Sequence, residues 1–389
     1  MQYRHFDKLD FRVSALGFGC MRLPTLGSRD QIDEREAERM LHYAIDQGVN
    51  YVDTAYGYHG GNSERFLGRA LKGGYRERIK LATKLPCGQV EEPGDFDRLL
   101  NEQLSKLQTD HIDFYLLHGL RRKRWDLVKP MDITGWLEGA KADGRIRHIG
   151  FSFHDTFDVF KEIIDDYEGW EFCQIQYNYV NENYQAGTQG LRYAASKGIG
   201  VVIMEPLLGG RLVDPPPAVQ AIWDTAEQKR SPAEWGLQWV WNQPEASVVL
   251  SGMTAMEHIQ ENIRSADRSG VGVLTEKELA LVAQARDQYE DLCPVPCTAC
   301  NYCMPCPNGV NIPGNFTNLN RGIMYNWLDG AREQYLGRMR EGQRASACIQ
   351  CRECEEECPQ DILISEWMPM VHQVLGEGKP YEPTECPGA

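Results

Sequence analysis

The chain has 389 residues, 42% of them hydrophobic, and a formal net charge of −15. That length accommodates one barrel-sized domain of about 250 residues with a smaller companion, and it holds no apolar run long enough to span a membrane. The acidic balance argues against nucleic acid or an anionic membrane as partner.

Up to about residue 270, short β-rich runs alternate with amphipathic helical stretches. The β-runs end near Gly19, Asp53, Lys84, His118, Ser152, Tyr177, Glu205 and Gly252. Ala37, Met40, Leu41, Ala44 and Ile45 recur at the spacing of one helix face. Ile112 to Leu117 is nearly all apolar, as a strand buried on both faces should be. Gly48, Gly144 and Gly198 stand where helices should stop before the next strand. Eight such βα units predict a (β/α)8 barrel over residues 1–272. The alternative is an open doubly wound sheet, which usually carries a Gly-rich phosphate turn after its first strand. Here that turn reads Gly17-Phe18-Gly19-Cys20, which lacks the fingerprint.

Polar residues at the C-terminal ends of barrel strands are the natural catalytic candidates. Asp53 closes the second run, with Tyr58 five residues on; Lys84 closes the third and His118 the fourth. Singly each has an ordinary explanation, a helix cap for the acid or packing for the phenol. Together at one mouth they make a proton-handling set. The stretch Arg121-Arg122-Lys123-Arg124 beside His118 reads as a solvated loop, with attraction of an anionic substrate as the sharper alternative. Residues 207–231, with Pro215-Pro216-Pro217, read as a long loop that closes over a cofactor or is simply variable. Cys20, Cys87 and Cys173 sit in or beside strands as small buried hydrophobes.

Residues 275–291 predict a helix with Leu279, Val282, Ala283 and Arg286 on one stripe, packed on the barrel. It falls in a connecting segment, 273–292. Eight of the thirteen cysteines follow in two runs: Cys297, Cys300, Cys303 and Cys306, then Cys348, Cys351, Cys354 and Cys358, each last one before proline. Three thiols at two-residue gaps and a fourth before proline is the spacing that wraps a [4Fe–4S] cubane. Structural zinc needs only four ligands, usually as two separated pairs. Disulfides need an oxidising compartment, and the N-terminal residues Met1 to His5 show no apolar signal segment. A reducing, cytoplasmic location is expected. The first run has one residue fewer before its fourth cysteine than is usual, and Cys293 just upstream is a potential substitute. The long interval between the runs predicts helices, so residues 293–389 read as a helical ferredoxin-like domain. Two anionic clusters in an acidic chain predict a redox partner with a basic face.

Asp53-Thr54-Ala55-Tyr56-Gly57-Tyr58 with Ser63-Glu64, Thr83-Lys84, the Leu-Leu-His ending at His118, Ile149 to Ser152, Gln174 to Tyr177, and Glu205-Pro206-Leu207 with Gly210 together resemble the aldo-keto reductase family. The resemblance covers roughly residues 2–265. The C-terminal extension resembles the ferredoxin-like tail of an iron–sulfur branch of that family. The resemblance implies hydride transfer between NAD(P)H and a small carbonyl or alcohol substrate. Tyr58 is then the proton donor, Lys84 the cation that favours its phenolate, Asp53 the partner of Lys84, and His118 the group that orients the carbonyl. It further implies that Ser152 and Gln174 hold the nicotinamide carboxamide and that Glu261 and Asn262 serve the adenine end. The family often has Asn after the serine of strand 5, where this chain has Phe153. Its NADP-binding members carry a Lys-Ser pair and an Arg where this chain has Gly252-Met253 and His258, so NAD is at least as well suited as NADP. In two-cluster ferredoxins the fourth cysteine of each run serves the other cluster. That predicts Cys297, Cys300, Cys303 and Cys358 on one cluster and Cys348, Cys351, Cys354 and Cys306 on the other, with Cys293 and Cys386 free. Two further readings stay open: a regulatory or electron-transfer protein whose barrel binds nicotinamide without turnover, and clusters that are purely structural.

Overall fold

The structure is a computed structural model that describes residues 1–6 and 9–387. By contacts the chain divides into two compact units. One comprises Met1–Gly209 and Ala233–Leu279; the other comprises Gly210–Pro232 and the chain from Ala280 onward.

The first unit opens with an antiparallel hairpin, β1 (Tyr3–Phe6) and β2 (Leu9–Ser14). Eight parallel strands follow: β3 (Leu16–Gly19), β4 (Tyr51–Asp53), β5 (Lys80–Leu85), β6 (Ile112–Leu120), β7 (Ile146–Phe153), β8 (Phe172–Gln176), β9 (Gly200–Met204) and β10 (Ala246–Ser251). They close into a barrel in chain order, with β10 pairing back onto β3. Side chains fill its interior, among them Tyr51, Ala82, Phe114, Leu116, Phe172, Val202 and Val248. Phe6 plugs the end at which the strands start. Its ring lies 5.2 Å from that of Phe114, and any side chain at Gly200 would collide with it.

Between strands run α1 (Glu34–Asp46), α2 (Asn62–Ala70), α3 (Gly94–Leu107), α4 (Arg122–Val128), α5 (Ile133–Ala142), α6 (Phe157–Asp165) and α7 (Gly187–Ser196). Helix α1 shows why the pattern was readable. Asp33 caps the Glu36 amide, and the buried face is Ala37, Met40, Leu41, Ala44 and Ile45. Gly48, Gly144 and Gly198 all adopt positive φ just past a helix end, the conformation glycine takes without a Cβ penalty.

Residues 207–231 are not a bare loop. They contain α8 (Pro217–Asp224), and from Gly210 they belong to the second unit. There Arg211 lies over the rings of Tyr325 and Trp327, 5.9 and 5.2 Å from their centroids. The chain then enters α9 (Pro232–Trp241), and α10 (Met256–Asp267) follows β10. Helix α11 (Glu276–Asp291) starts one residue later than expected, and its buried face is Val282, Ala285 and Tyr289. Leu279, Ala283 and Arg286 are only half-buried; the helix instead buries a neighbouring stripe that includes Tyr289, whose ring lies 5.4 Å from that of Tyr325 at a tilt of 46°.

The second unit continues with α12 (Ile312–Met324), α13 (Leu328–Arg338), α14 (Glu353–Glu356) and α15 (Ile364–Leu375). The interval between the cysteine runs is therefore helical. Phe316, Leu319, Tyr335, Trp367, Met368 and Val371 form its apolar core, against which the cysteine loops pack. Among the described residues no helix is long and apolar enough to cross a membrane.

Candidate active site and cluster cavities

Asp53 is the last residue of β4, and Lys84 is the next to last of β5. The Lys84 ammonium donates to both Asp53 oxygens, at 2.7 and 2.8 Å, and to the Thr54 carbonyl at 2.7 Å. Both side chains are almost fully buried. Burial pulls the ammonium down, but Asp53 and Tyr58 together hold it above its usual value. Burial raises the Asp53 carboxyl, and Lys84 opposes that rise. Tyr58 sits on a tight turn after β4, its ring centroid 5.1 Å from Lys84 Nζ. Burial raises its phenol above the ordinary value, and the Lys84 charge works against that. In this state Tyr58 keeps its proton.

His118 lies two residues inside β6, which runs on to Leu120. The pairing of β6 with β7 slips between Leu117 and Leu120, and Gly119 has φ +60°. This bulge breaks the alternation next to His118, as bulges near active sites often do. The His118 and Tyr58 rings stand edge to face, 6.2 Å apart. Burial and the charges of Lys84 and Arg124 lower the His118 pKa to about 3, so its imidazole is neutral near pH 7.

Ser152 on β7 and Gln174 on β8 are register partners. The Ser152 hydroxyl accepts from the Gly119 amide at 2.7 Å, which leaves its own proton to donate. Gln174 is buried, and its Oε1 accepts no hydrogen bond among the described residues. A buried amide oxygen without a donor is costly, and it suits a ligand that brings an N–H. Glu205, just past β9, takes φ +53°, and its carbonyl accepts from Asn178 at 3.1 Å. Pro206 is buried, and Leu207 packs on Gly236. Asn262 on α10 donates to Ser251 at 3.0 Å, tying that helix to the end of β10. His258 is exposed near Thr254, Glu261 is half-buried on α10, and exposed Gly210 belongs to the second unit. Gly252 is exposed, with the Arg22 stem 3.2 Å from where its Cβ would be.

In the second unit two cavities are lined by cysteines. Cys297, Cys300, Cys303 and Cys358 face one; Cys306, Cys348, Cys351 and Cys354 face the other. Ile312 and Ile364 are walls of both. The two loops repeat one backbone geometry: the residues on either side of the middle cysteine, Ala299 and Asn301 in one and Gln350 and Arg352 in the other, all have positive φ. The Gln350 amide points at Cys348 Sγ, 3.4 Å away. No three metal-binding side chains close on a single ion among the described residues. Thiolates on one zinc must converge to about 2.3 Å from it; sulfurs spread around a cavity suit a cubane, with iron between them. Cys293 lines neither cavity, and its thiol contacts the Val295 carbonyl. Cys386 contacts the Tyr381 hydroxyl at 3.1 Å.

Residues 15–287 match the aldo/keto reductase family model. The chain belongs to the aldo/keto reductase family. Residues 296–363 match a 4Fe-4S dicluster domain. The L-galactose dehydrogenase of Arabidopsis thaliana is 26% identical over 68% of this chain and 87% of its own length. Protein tas of Escherichia coli is 26% identical over 68% of this chain and 93% of its own. Among solved structures, the holo form of aldo-keto reductase AKR11C1 from Bacillus halodurans aligns with a TM-score of 0.61 at 26% identity, covering 73% of this chain and 96% of that one.

Three groups around this reductase barrel carry no clear sequence signal of their own. Behind Lys84, buried Glu64 accepts from Thr83 at 2.7 Å and from Gln103 at 2.6 Å, and Gln103 also reaches the Lys84 carbonyl at 3.1 Å. Ser63-Glu64 was visible as part of the family signature, but not as a brace for Lys84. Arg22, just past β3, lies along Gly209 and Gly252 and makes no hydrogen bond or ion pair among the described residues. Arg124 donates to the carbonyls of His118 and Gly119, at 3.0 and 2.8 Å.

Proposed function

We propose that this family member is an NAD(P)-dependent oxidoreductase of small carbonyl or alcohol compounds whose second unit carries two [4Fe–4S] clusters. The observation that carries the reading is the convergence of a protonated Tyr58, an Asp53-paired Lys84 and a neutral His118 at the strand ends. The bound nicotinamide would supply the hydride. Tyr58 gives a proton to the substrate oxygen, and the adjacent Lys84 charge stabilises the phenolate left behind. Asp53 keeps Lys84 charged and aimed. Neutral His118 donates a hydrogen bond that orients the carbonyl. Gln174 Oε1 and the Ser152 hydroxyl fit the donor and acceptor of a carboxamide. Glu205, Pro206, Leu207 and Gly252 would line the cofactor's course, and Arg22 is the cation available to its diphosphate. Asn262 and Glu261 would serve the adenine end.

The two cavities support cluster ligation by Cys297, Cys300, Cys303 and Cys358, and by Cys348, Cys351, Cys354 and Cys306. A cluster supplies one electron at a time whereas a hydride carries two, so exchange with the barrel chemistry requires a two-electron converter such as a flavin in a partner. An acidic chain suits a partner with a basic face.

The test is anaerobic purification with iron and sulfide analysis, then a scan for carbonyl-dependent oxidation of NADH or NADPH. About eight irons per chain and turnover support the reading. Nicotinamide binding without turnover of any carbonyl or alcohol would favour a regulatory protein instead.

A further inference from the structure

The basic stretch after β6 is not one solvated face. Arg122 pairs with Glu162, and Arg121 and Lys123 are exposed. The short helix α4 turns Trp125 and Val128 inward, and Arg124 comes in beside them. Its Nη1 caps the carbonyls of His118 and Gly119. No carboxylate lies within ion-pair distance of it among the described residues. Its Nη1 is thus satisfied by two carbonyls while no carboxylate among the described residues balances its charge, in a chain of net charge −15.

Two glycines lie beside it, and one of them, Gly119, leaves it room that a side chain would take. Gly88 follows β5, the strand of Lys84, and Arg124 Nη2 and Nε lie 3.9 and 4.0 Å from where its Cβ would stand. Gly119 follows His118, and a Cβ there would meet Arg124 Nη1 at 2.5 Å and the His154 ring at 3.8 Å. Any side chain at Gly119 would displace the guanidinium. The nearby carboxylates face elsewhere: Asp155 accepts from the amides of Arg122 and Thr156. The remaining edge of Arg124, with Nη2 and Nε, is the fork that matches a carboxylate.

We infer that Arg124 is a specificity residue and that the substrate is an anionic carbonyl compound, with a carboxylate within a few atoms of the reacting carbon. This rests on the reductase reading above, because it is His118 that would hold the carbonyl. Arg124 is tied to the main-chain carbonyl of His118, so an anion on its free edge would lie near the residue proposed to hold the substrate carbonyl. Binding the anion would orient the substrate as well as hold it.

The test uses the full chain and the ortho, meta and para carboxybenzaldehydes, each against its neutral methyl ester. We expect at least one acid to exceed its ester about tenfold or more in kcat/KM, the gain of a charge-assisted pair. In Arg124→Gln that ratio falls at least tenfold, whatever happens to the absolute rates, and Arg124→Lys keeps part of it. Ratios of acid to ester cancel any general damage from loosening His118. Equal turnover of acids and esters by the wild type, or a ratio unchanged in Arg124→Gln, overturns the inference and leaves the reductase reading standing. Calorimetric binding of the same acids decides the case without turnover. Affinity lost in Arg124→Gln with no turnover of any carbonyl supports the anion site and removes the reductase reading. Affinity equal in wild type and variant overturns the site.

Discussion

The Lys84 ammonium is held by both oxygens of Asp53, at 2.7 and 2.8 Å, with side-chain exposures of only 1% and 4%. A pair buried this deeply is stable only as a pair. Asp53→Asn leaves a buried cation without its counter-charge and should cost about 3–5 kcal/mol of barrel stability. Urea unfolding followed by tryptophan fluorescence measures this. The double variant Asp53→Asn with Lys84→Met should recover part of the loss; if it is worse than the single variant, the pair is not the source of the cost.

His118 should not charge in the working range. Its folded pKa, about 3, lies below the ordinary value of 6.5. The unfolded chain therefore takes a proton that the fold refuses. This contribution to stability is present above about pH 6.5 and is lost as pH falls toward 3. The thermal midpoint of the wild type should accordingly drop more between pH 7 and pH 5 than that of His118→Gln. Equal drops would mean that His118 titrates alike in both states.

The cluster ligands separate by iron content. Cys306→Ser should lose about four irons per chain and Cys293→Ser none. Cys293 lines neither cavity, whereas Cys306 faces the one shared with Cys348, Cys351 and Cys354. Iron lost from Cys293→Ser with Cys306→Ser fully loaded would reverse the roles.

Much of the barrel was legible because parallel strands buried on both faces read as apolar runs, and polar residues mark their ends. Asp53, Lys84, His118 and Ser152 stand out in the sequence as such marks, and Tyr58 by its offset from Asp53. What stayed hidden depends on contacts distant in sequence. Four successive cations look alike locally, so nothing reveals that Arg124 alone turns in toward the His118 and Gly119 carbonyls. The bulge at Gly119 shows only in the pairing of β6 with β7. The Pro-rich segment after Gly210 reads as a loop because its anchor, Arg211 on Tyr325 and Trp327, lies more than a hundred residues away in sequence.

Arg22 is the cation beside Gly209 and Gly252, and a diphosphate is common to both nicotinamide cofactors. Arg22→Gln should weaken NADH and NADPH to a similar degree, about tenfold or more. The wild type should bind the two within about tenfold of each other, a gap of roughly 1.4 kcal/mol or less. Fluorescence titration of each reduced cofactor reads both quantities. A thousandfold preference for NADPH would mean that another cation grips the 2′-phosphate.

Tyr58→Phe is the most direct trial of the account, because it removes one oxygen and leaves the Lys84–Asp53 pair intact. Nicotinamide binding should stay nearly unchanged while carbonyl-dependent oxidation of the cofactor falls by at least about a hundredfold, the worth of a positioned acid. Near-normal turnover in that variant would contradict Tyr58 as proton donor and the proposed reduction mechanism with it.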